Sequence, residues 1–534
     1  MTEYTFPLSF QQHRFWYLEQ LNPGGAYHLP IVLRLAGELR VDLLREALQR
    51  VVDRHEVLRT RYQPDAQVQV VAEQWTVPLS VVEGDLERIR AEALCEPFDL
   101  WSAPPLRVVL VRSAPDEHIL LMVIHHIACD GWSLGVLGRE LSEAYTALHD
   151  GREPDLPELP VQYGDYALWQ RDRMSGDVLA AGLAHWAAVL VGAPATLELP
   201  TARPRPAEPA LNGDRVRLAV PDALAERVEQ LAQRHGVSVF MVVLAAYATV
   251  LTRLSGQDEV VVGTAISGRE RPEVADLVGC FIDVVPLRLS TVKSSAEELL
   301  AETRRVCLAA YAHQDVPFER VVDHLRPARD PVRPPLFQVM CNGQDTPRHD
   351  VTWPGVEVSG EQPEPGVSKY DLTLDVHSRP GGVLLDLEYD RDVFDEPGMA
   401  GLLDRIVVVL DWLTDDTRPL FDGPPRPAPE VDRITAPGPR PPAAAAVEPR
   451  DALEALVLGH LRDALGDERL GVTDDFFEHG GSSLAAMTAL VRIQEDTGQR
   501  LGPADLFGEA TAARFAERLR DGHDDIDHES EQNR

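Results

Sequence analysis

Two short stretches carry the residue types that could do chemistry. The first is Ile119 to Ser133, ILLMVIHHIACDGWS. Its six apolar residues, Ile119 to Ile124, read as a buried strand, and His125 and His126 follow at the strand's end. Asp130-Gly131 marks a turn, and Ser133 stands where it can cap a helix starting near Leu134. Neighbouring strand residues point to opposite faces, so only one histidine can face a given cleft. That one could act as a general base, or orient a nucleophile, near neutral pH. The other would be structural. A buried Asp130 needs a cationic partner, expected to be an arginine. Gly131 would let a substrate backbone come close. Two adjacent histidines alone could equally be a satisfied pair at a strand end, and a metal site lacks further ligands at useful spacing.

The second stretch is Asp475 to Met487, DFFEHGGSSLAAM. Gly480-Gly481 breaks regular structure, and a helix is predicted from about Ser483. A serine there is first of all a helix cap. The position also suits a phosphate ester, since the free amides and dipole of a helix start favour an anion.

These two stretches lie far apart in a chain of 534 residues, long enough for three or four folded units. Between Phe421 and Arg450, nine of thirty residues are proline and Ala443 to Ala446 adds a small-residue run, a composition expected of an extended tether. Before it, helical and strand periods alternate. Val51 to Arg59 and Leu134 to Leu148 read as helices, and Leu106 to Val111 as a strand. A turn-rich break at Leu199 to Gly213 divides this piece into two lobes of roughly 200 residues, about 1–198 and 199–420. After the tether, Leu453, Leu456, Val457, Leu461 and Leu465 trace an amphipathic helix. Further helices are expected over Ser483 to Ile493 and about Ala510 to Leu519, giving a small helical domain over 451–520 and an acidic tail over 521–534.

A formal net charge of −35 disfavours nucleic acid and anionic membrane as partners. No apolar run approaches the ~20 residues of a membrane span, and the first residues lack the pattern of a secretory signal. Five cysteines without a CxxC pair fit a reducing compartment, so a cytoplasmic location and no metal site are expected.

The spacing His-His-x-x-x-Asp-Gly resembles the active-site motif of condensation domains of nonribosomal peptide synthetases, relatives of chloramphenicol acetyltransferase. Further blocks occur in family order. Leu8-Ser9-Phe10-Gln11-Gln12-His13-Arg14-Phe15-Trp16 is similar to the opening motif, departing where the family usually has Ala-Gln. Arg54-His55-Glu56-Val57-Leu58-Arg59-Thr60 and Tyr163-Gly164-Asp165-Tyr166-Ala167-Leu168-Trp169-Gln170 resemble the second block and the one after the histidine pair. Val278-Gly279-Cys280-Phe281-Ile282-Asp283 has Asp283 where Asn is usual. His313 to Glu319 and, more loosely, Arg329 to Leu336 follow. The acidic helical domain with Gly480-Gly481-Ser482-Ser483-Leu484 resembles the peptidyl carrier proteins of the same synthetases, with Ser482 a mild departure.

The resemblance implies an α/β (α+β) condensation domain over 1–420, built of two acetyltransferase-like lobes in a V, a linker over 421–450 and an all-α carrier bundle. It implies His126 as the histidine facing the substrates, with His125, Asp130 and Gly131 supporting it. Arg54 becomes the first choice as partner of Asp130 and Arg288 the second. It implies 4'-phosphopantetheine carried covalently on Ser483. The expected reaction joins a donor acyl or peptidyl thioester to an acceptor amine on that arm, forming an amide. The expected partners are an upstream carrier bringing the donor, an adenylation domain acting in trans, a phosphopantetheinyl transferase and a downstream module or release enzyme. No Gly/Ser/Thr-rich nucleotide loop and no GxSxG motif are seen. Ester formation with a hydroxyl acceptor and a noncatalytic recruiting platform are the alternatives. An epimerisation domain would normally follow its carrier.

Overall fold

The computed structural model describes residues 3–415 except 22–23, 64–66, 208–209, 293–294, 329, 331, 345–351, 362–365 and 380–381. It also describes 433–435 and 447–520 except 480, 482, 500 and 502–509. Most of the proline-rich tether, all of the acidic tail and part of the loosely matched block at Arg329 to Leu336 therefore lie outside the described residues.

The first lobe runs β1 (Glu3–Pro7), α1 (Phe10–Leu21), β2 (His28–Gly37), α2 (Val41–Arg54), β3 (Thr60–Gln63), β4 (Val68–Ala72), β5 (Leu79–Val82), α3 (Leu86–Cys95), β6 (Leu106–Ala114), β7 (Glu117–His125), α4 (Gly131–His149) and α5 (Tyr163–Arg173). The second runs α6 (Gly176–Leu190), β8 (Gly213–Ala219), α7 (Asp222–His235), α8 (Val239–Ser255), β9 (Glu259–Ile266), β10 (Asp283–Ser290), α9 (Ala296–Tyr311), α10 (Phe318–Leu325), β11 (Val339–Gly343), β12 (Val356–Glu361), β13 (Leu372–Arg379), β14 (Gly382–Asp390) and α11 (Glu396–Thr414). Beyond the tether come α12 (Ala452–Leu465) and α13 (Ser483–Thr497), with residues 512–520 also helical.

Strand β7 is the spine of the first lobe. It lies between β2 and β6 in a sheet ordered β12-β2-β7-β6-β5, which explains its unbroken apolar run: both faces are covered. Leu120, Met122 and Ile124 face the large core, while Ile119, Leu121 and Val123 face a smaller one with Ala93 of α3. The second lobe stacks its helices on a sheet ordered β10-β9-β11-β13-β14-β8. Helix α8 is buried almost all round, from Met241 to Ser255. Among the described residues no single helix is long and apolar enough to cross a membrane.

The lobe boundary differs from the turn-rich break read in the sequence. Helix α6 precedes that break, yet its Leu179, Trp186 and Leu190 pack in the second core. Conversely, β12 pairs with β2 of the first lobe, in register from Val356↔Gly37 to Glu361↔Val32. Gly37 has φ +127°, and a Cβ there would lie 2.2 Å from the Gly355 carbonyl, so the crossing requires glycine. A second segment, Val274 to Phe281, leaves β9 and packs its apolar side chains into the first lobe's core. Each lobe is therefore completed by residues distant in sequence. In the described part of the tether, Ile434 is buried in the second core, and its backbone exchanges hydrogen bonds with Gly192 and Ala193.

Candidate active site and carrier site

The alternation along β7 sends the two histidines apart. His125 continues the face of Leu121 and Val123; His126 continues the face of Leu120, Met122 and Ile124. His125 is fully buried and both its ring nitrogens are engaged. Nε2 lies 3.2 Å from a Glu19 carboxylate oxygen, and Nδ1 accepts the Ile127 N–H at 3.0 Å. That pattern fixes the Nε2–H tautomer and leaves no lone pair for a substrate proton. His28 and Phe98 meet its ring edge-on.

His126 stacks on Phe15 of α1, with ring centroids 4.1 Å apart. Its backbone N–H donates to the Tyr27 carbonyl at 2.8 Å, and its Nδ1 lies 3.9 Å from the Cys280 sulfur. Among the described residues no hydrogen bond reaches Nε2. Burial lowers the pKa of His126 well below the ordinary histidine value, and the charges of Lys369, Arg14 and His125 lower it further. The ring is thus a neutral imidazole at pH 7.

Asp130 caps α4. Its carboxylate accepts from the Ser133 N–H at 2.8 Å, the Ser133 hydroxyl at 2.7 Å, the Phe281 N–H at 3.0 Å and the Arg269 guanidinium at 3.0 Å. Arg269 also donates to the Val274 and Leu277 carbonyls and lies over the Phe281 ring. Both side chains of the pair are almost fully buried, at 2% and 3% exposure. Asp130 therefore fastens the segment after β9 against the start of α4.

The expected partners of Asp130 need correction. Arg54 pairs with Glu140 at 3.1 Å and Arg288 with Glu259 at 2.8 Å. Arg54 ends α2, which packs along α4. It meets α4 ten residues beyond Asp130, roughly 15 Å further along at 1.5 Å per residue. Buried His55 shares the same Glu140 carboxylate at 2.7 Å, and its Nδ1 accepts the Val278 N–H at 3.3 Å. Arg54 thus supports a second tie between the lobes and does not hold Asp130. Arg269 was missed because its partner is 139 positions away; the only local cue is the turn glycine before it, Gly268, at φ +63°.

Asp283 is a paired carboxylate, bonded to Arg14 at 2.6 Å and to the Gln11 side-chain amide at 3.2 Å; Arg14 also reaches Glu319 at 3.4 Å. Burial raises the pKa of Asp283 against the pull of Arg14. Glu319 is raised to about 7, by burial first and then by the like charge of Asp283. Gly131 stands exposed at the start of α4 with open space where a Cβ would be.

The carrier site is local. Asp475 accepts from the Phe477, Glu478 and Ala510 N–H groups, fixing the turn that leads to α13. A Cβ on Gly481 would lie 2.1 Å from the Phe476 ring, so the chain at the helix start needs glycine to pass that ring. Ser483 is the first residue of α13. This helix start, with a cradle shaped by Gly481 and Phe476, fits a phosphate ester of 4'-phosphopantetheine. Helix α13 lies against α1, which also carries Phe15 and Glu19 of the histidine site.

A two-lobed fold with a histidine pair at the lobe junction, joined to a helical carrier, is the architecture of a condensation–carrier didomain. The family comparisons agree: the chain belongs to the condensation domain family over residues 2–420, and residues 455–519 match the family of the phosphopantetheine attachment site. It is 39% identical to malpinin synthetase of Mortierella alpina over 78% of this chain and 6% of that one. It is also 39% identical to a dimodular nonribosomal peptide synthase of Bacillus subtilis, over 77% of this chain and 18% of that one. The chain thus spans under a fifth of the length of these relatives. The X-domain of teicoplanin biosynthesis, solved in complex with OxyB, is 30% identical and superposes with a TM-score of 0.72 over 78% of this chain and 94% of that one.

Proposed function

We propose that this chain forms an amide bond between a donor acyl or peptidyl thioester, delivered by another carrier, and an acceptor amine held on its own carrier at Ser483. When bound, 4'-phosphopantetheine supplies a thiol that holds the acceptor as a thioester. Amino-acid activation is supplied by an adenylation domain outside these 534 residues, and arm attachment by a phosphopantetheinyl transferase. The observation that carries this reading is the contrast between the histidines: His125 has both nitrogens bonded within the protein, whereas among the described residues His126 keeps Nε2 without a protein partner.

His126 accepts a hydrogen bond from the attacking amine and holds its lone pair toward the donor carbonyl. A pKa lowered well below the ordinary value makes the ring a weak base toward a free ammonium. Its main work is orientation, with proton acceptance as the new C–N bond makes the amine nitrogen acidic. His125 and Glu19 fix the strand end, and Asp130 with Arg269 fixes the facing loop. The approach of α13 to α1 supports an acceptor role for this chain's own carrier.

The test is intact-protein mass spectrometry. The chain is charged at Ser483 with an aminoacyl arm and mixed with a loaded donor carrier; a donor-extended species should appear on this chain. A charged chain that never gains the donor refutes the condensation reading. The likeness to an X-domain solved with OxyB favours one second reading, a recruiting platform, which such a result would support. Product formed only with a hydroxy-acyl acceptor would make the bond an ester.

A further inference from the structure

Lys369 lies in the second lobe just before β13, yet its ammonium sits over the ring of Tyr27 in the first lobe, 4.9 Å from the centroid. Tyr27 in turn meets Phe15 edge-on at 5.7 Å, Phe15 stacks on His126, and the Tyr27 carbonyl holds the His126 N–H. The lysine is therefore bound to the same small aromatic frame as the histidine, from the opposite lobe. The surrounding cations are spoken for. Arg14 is paired with Asp283 and Glu319, Arg269 with Asp130, and Arg215 with Asp386 and Glu388. Among the described residues Lys369 alone of this group has no carboxylate within ion-pair distance. Glu388 attracts it from further off, while Arg14 and Arg215 repel it. Lys369 is half-buried; holding an ammonium partly out of water over a ring without a counter-ion is costly, and a site keeps such a group where negative charge arises during reaction.

We propose that Lys369 is a catalytic residue of the condensation site, its ammonium donating a hydrogen bond to the donor carbonyl oxygen as that oxygen becomes an oxyanion. The inference rests on the condensation reading above. As the amine lone pair forms the C–N bond, the carbonyl π pair moves onto oxygen, where Lys369 meets it and keeps its own proton. The pair then re-forms C=O while the C–S bond breaks. The proton shed by the acceptor nitrogen, which became cationic as the C–N bond formed, passes through His126 to the departing thiolate. Nitrogen and oxygen are bonded to the same carbon, so a cation held on the aromatic frame that carries His126 can meet the oxygen while His126 meets the nitrogen. Burial first, and then the same charge together with Arg14 and His125, keeps His126 neutral; the Cys280 thiol, its pKa raised by burial, faces the ring uncharged.

The experiment measures single-turnover amide formation by the full chain, charged at Ser483, with excess loaded donor carrier. Lys369→Met should slow the step by about 10²–10³-fold, with arm attachment and melting temperature unchanged, and Lys369→Arg should recover most of the rate. Removing the cation should also let the His126 pKa rise, moving the acid limb of the rate profile to higher pH and shifting the His126 titration seen by NMR the same way. A Lys369→Met chain within threefold of the parent and with an unmoved profile overturns the assignment. If Lys369→Met fails to fold, Lys369→Gln replaces it, and a Gln variant as fast as the Arg variant overturns it. A parent that forms no amide at all refutes the condensation reading instead; an active parent with an undiminished variant refutes the lysine assignment alone.

Discussion

The lobe junction and the carrier place the two side chains proposed to react, His126 and Ser483, in opposite ways. At the carrier, Ser483 is positioned by its immediate neighbours: the Asp475 turn, Gly481 against Phe476, and the start of α13. At the junction, His126 is held by residues distant in sequence: Phe15, Tyr27 and the Cys280 loop. The first arrangement is set by a few residues close in sequence, as suits a site on a small domain. The second welds the reactive group into the fold, as suits one that must hold a geometry while water is kept out. A local site should therefore lose function without losing stability, whereas the junction should lose both unless the altered residue only faces the substrates.

The largest effect tests the local side. Ser483→Ala should abolish arm attachment, read as loss of the single mass increment with CoA and a transferase, with an unchanged melting curve. Residual labelling would move the attachment site elsewhere. Next is His126→Ala, which should cut amide formation by about 10²–10⁴-fold if it accepts the proton, and toward the lower end if it mainly orients. His125→Ala should instead show its cost in folding, because Glu19 and the Ile127 N–H both lose a buried partner. Inactivity of a well-folded His125→Ala beside a normal His126→Ala would reverse the two roles.

Asp130→Ala should cost about 3–5 kcal/mol in denaturant unfolding, since it leaves the buried Arg269 unpaired. Arg54→Ala should cost less, about 1–3 kcal/mol, because His55 remains on Glu140. Double-mutant cycles sharpen the contrast: Asp130 with Arg269 should be strongly coupled, and Asp130 with Arg54 additive to within about 0.5 kcal/mol. Coupling of the second pair would restore the partnership that the sequence motif suggested.

The smallest effect is pH-dependent. The Glu319 pKa is raised to about 7 from an ordinary 4.5. The unfolded chain therefore gives up this proton first, and stability should fall as pH rises from about 4.5 to about 7. Glu319→Gln should flatten that part of the slope in urea titrations at several pH values. An unchanged slope would assign it to Asp283.

By itself, the sequence determined whatever depends on neighbours along the chain. It marked β7 and its histidines, the cap of α4, the amphipathic stripe of α12, the helix beginning at Ser483 and the breaks around the tether, because periodicity, turns and caps are written within a few residues. It also marked Asp130 as a buried anion in need of a cation, since that follows from burial alone. Tertiary structure decided which cation answered. Arg54 and Arg269 are equally arginine; α2 delivers one to the middle of α4, and the loop after β9 delivers the other to its start. The lobe boundary was decided the same way, with α6 claimed by the second core and β12 given to the first sheet. Pairings across more than a hundred residues leave no mark in local spacing, because their energy comes from surfaces that meet only after both lobes have folded.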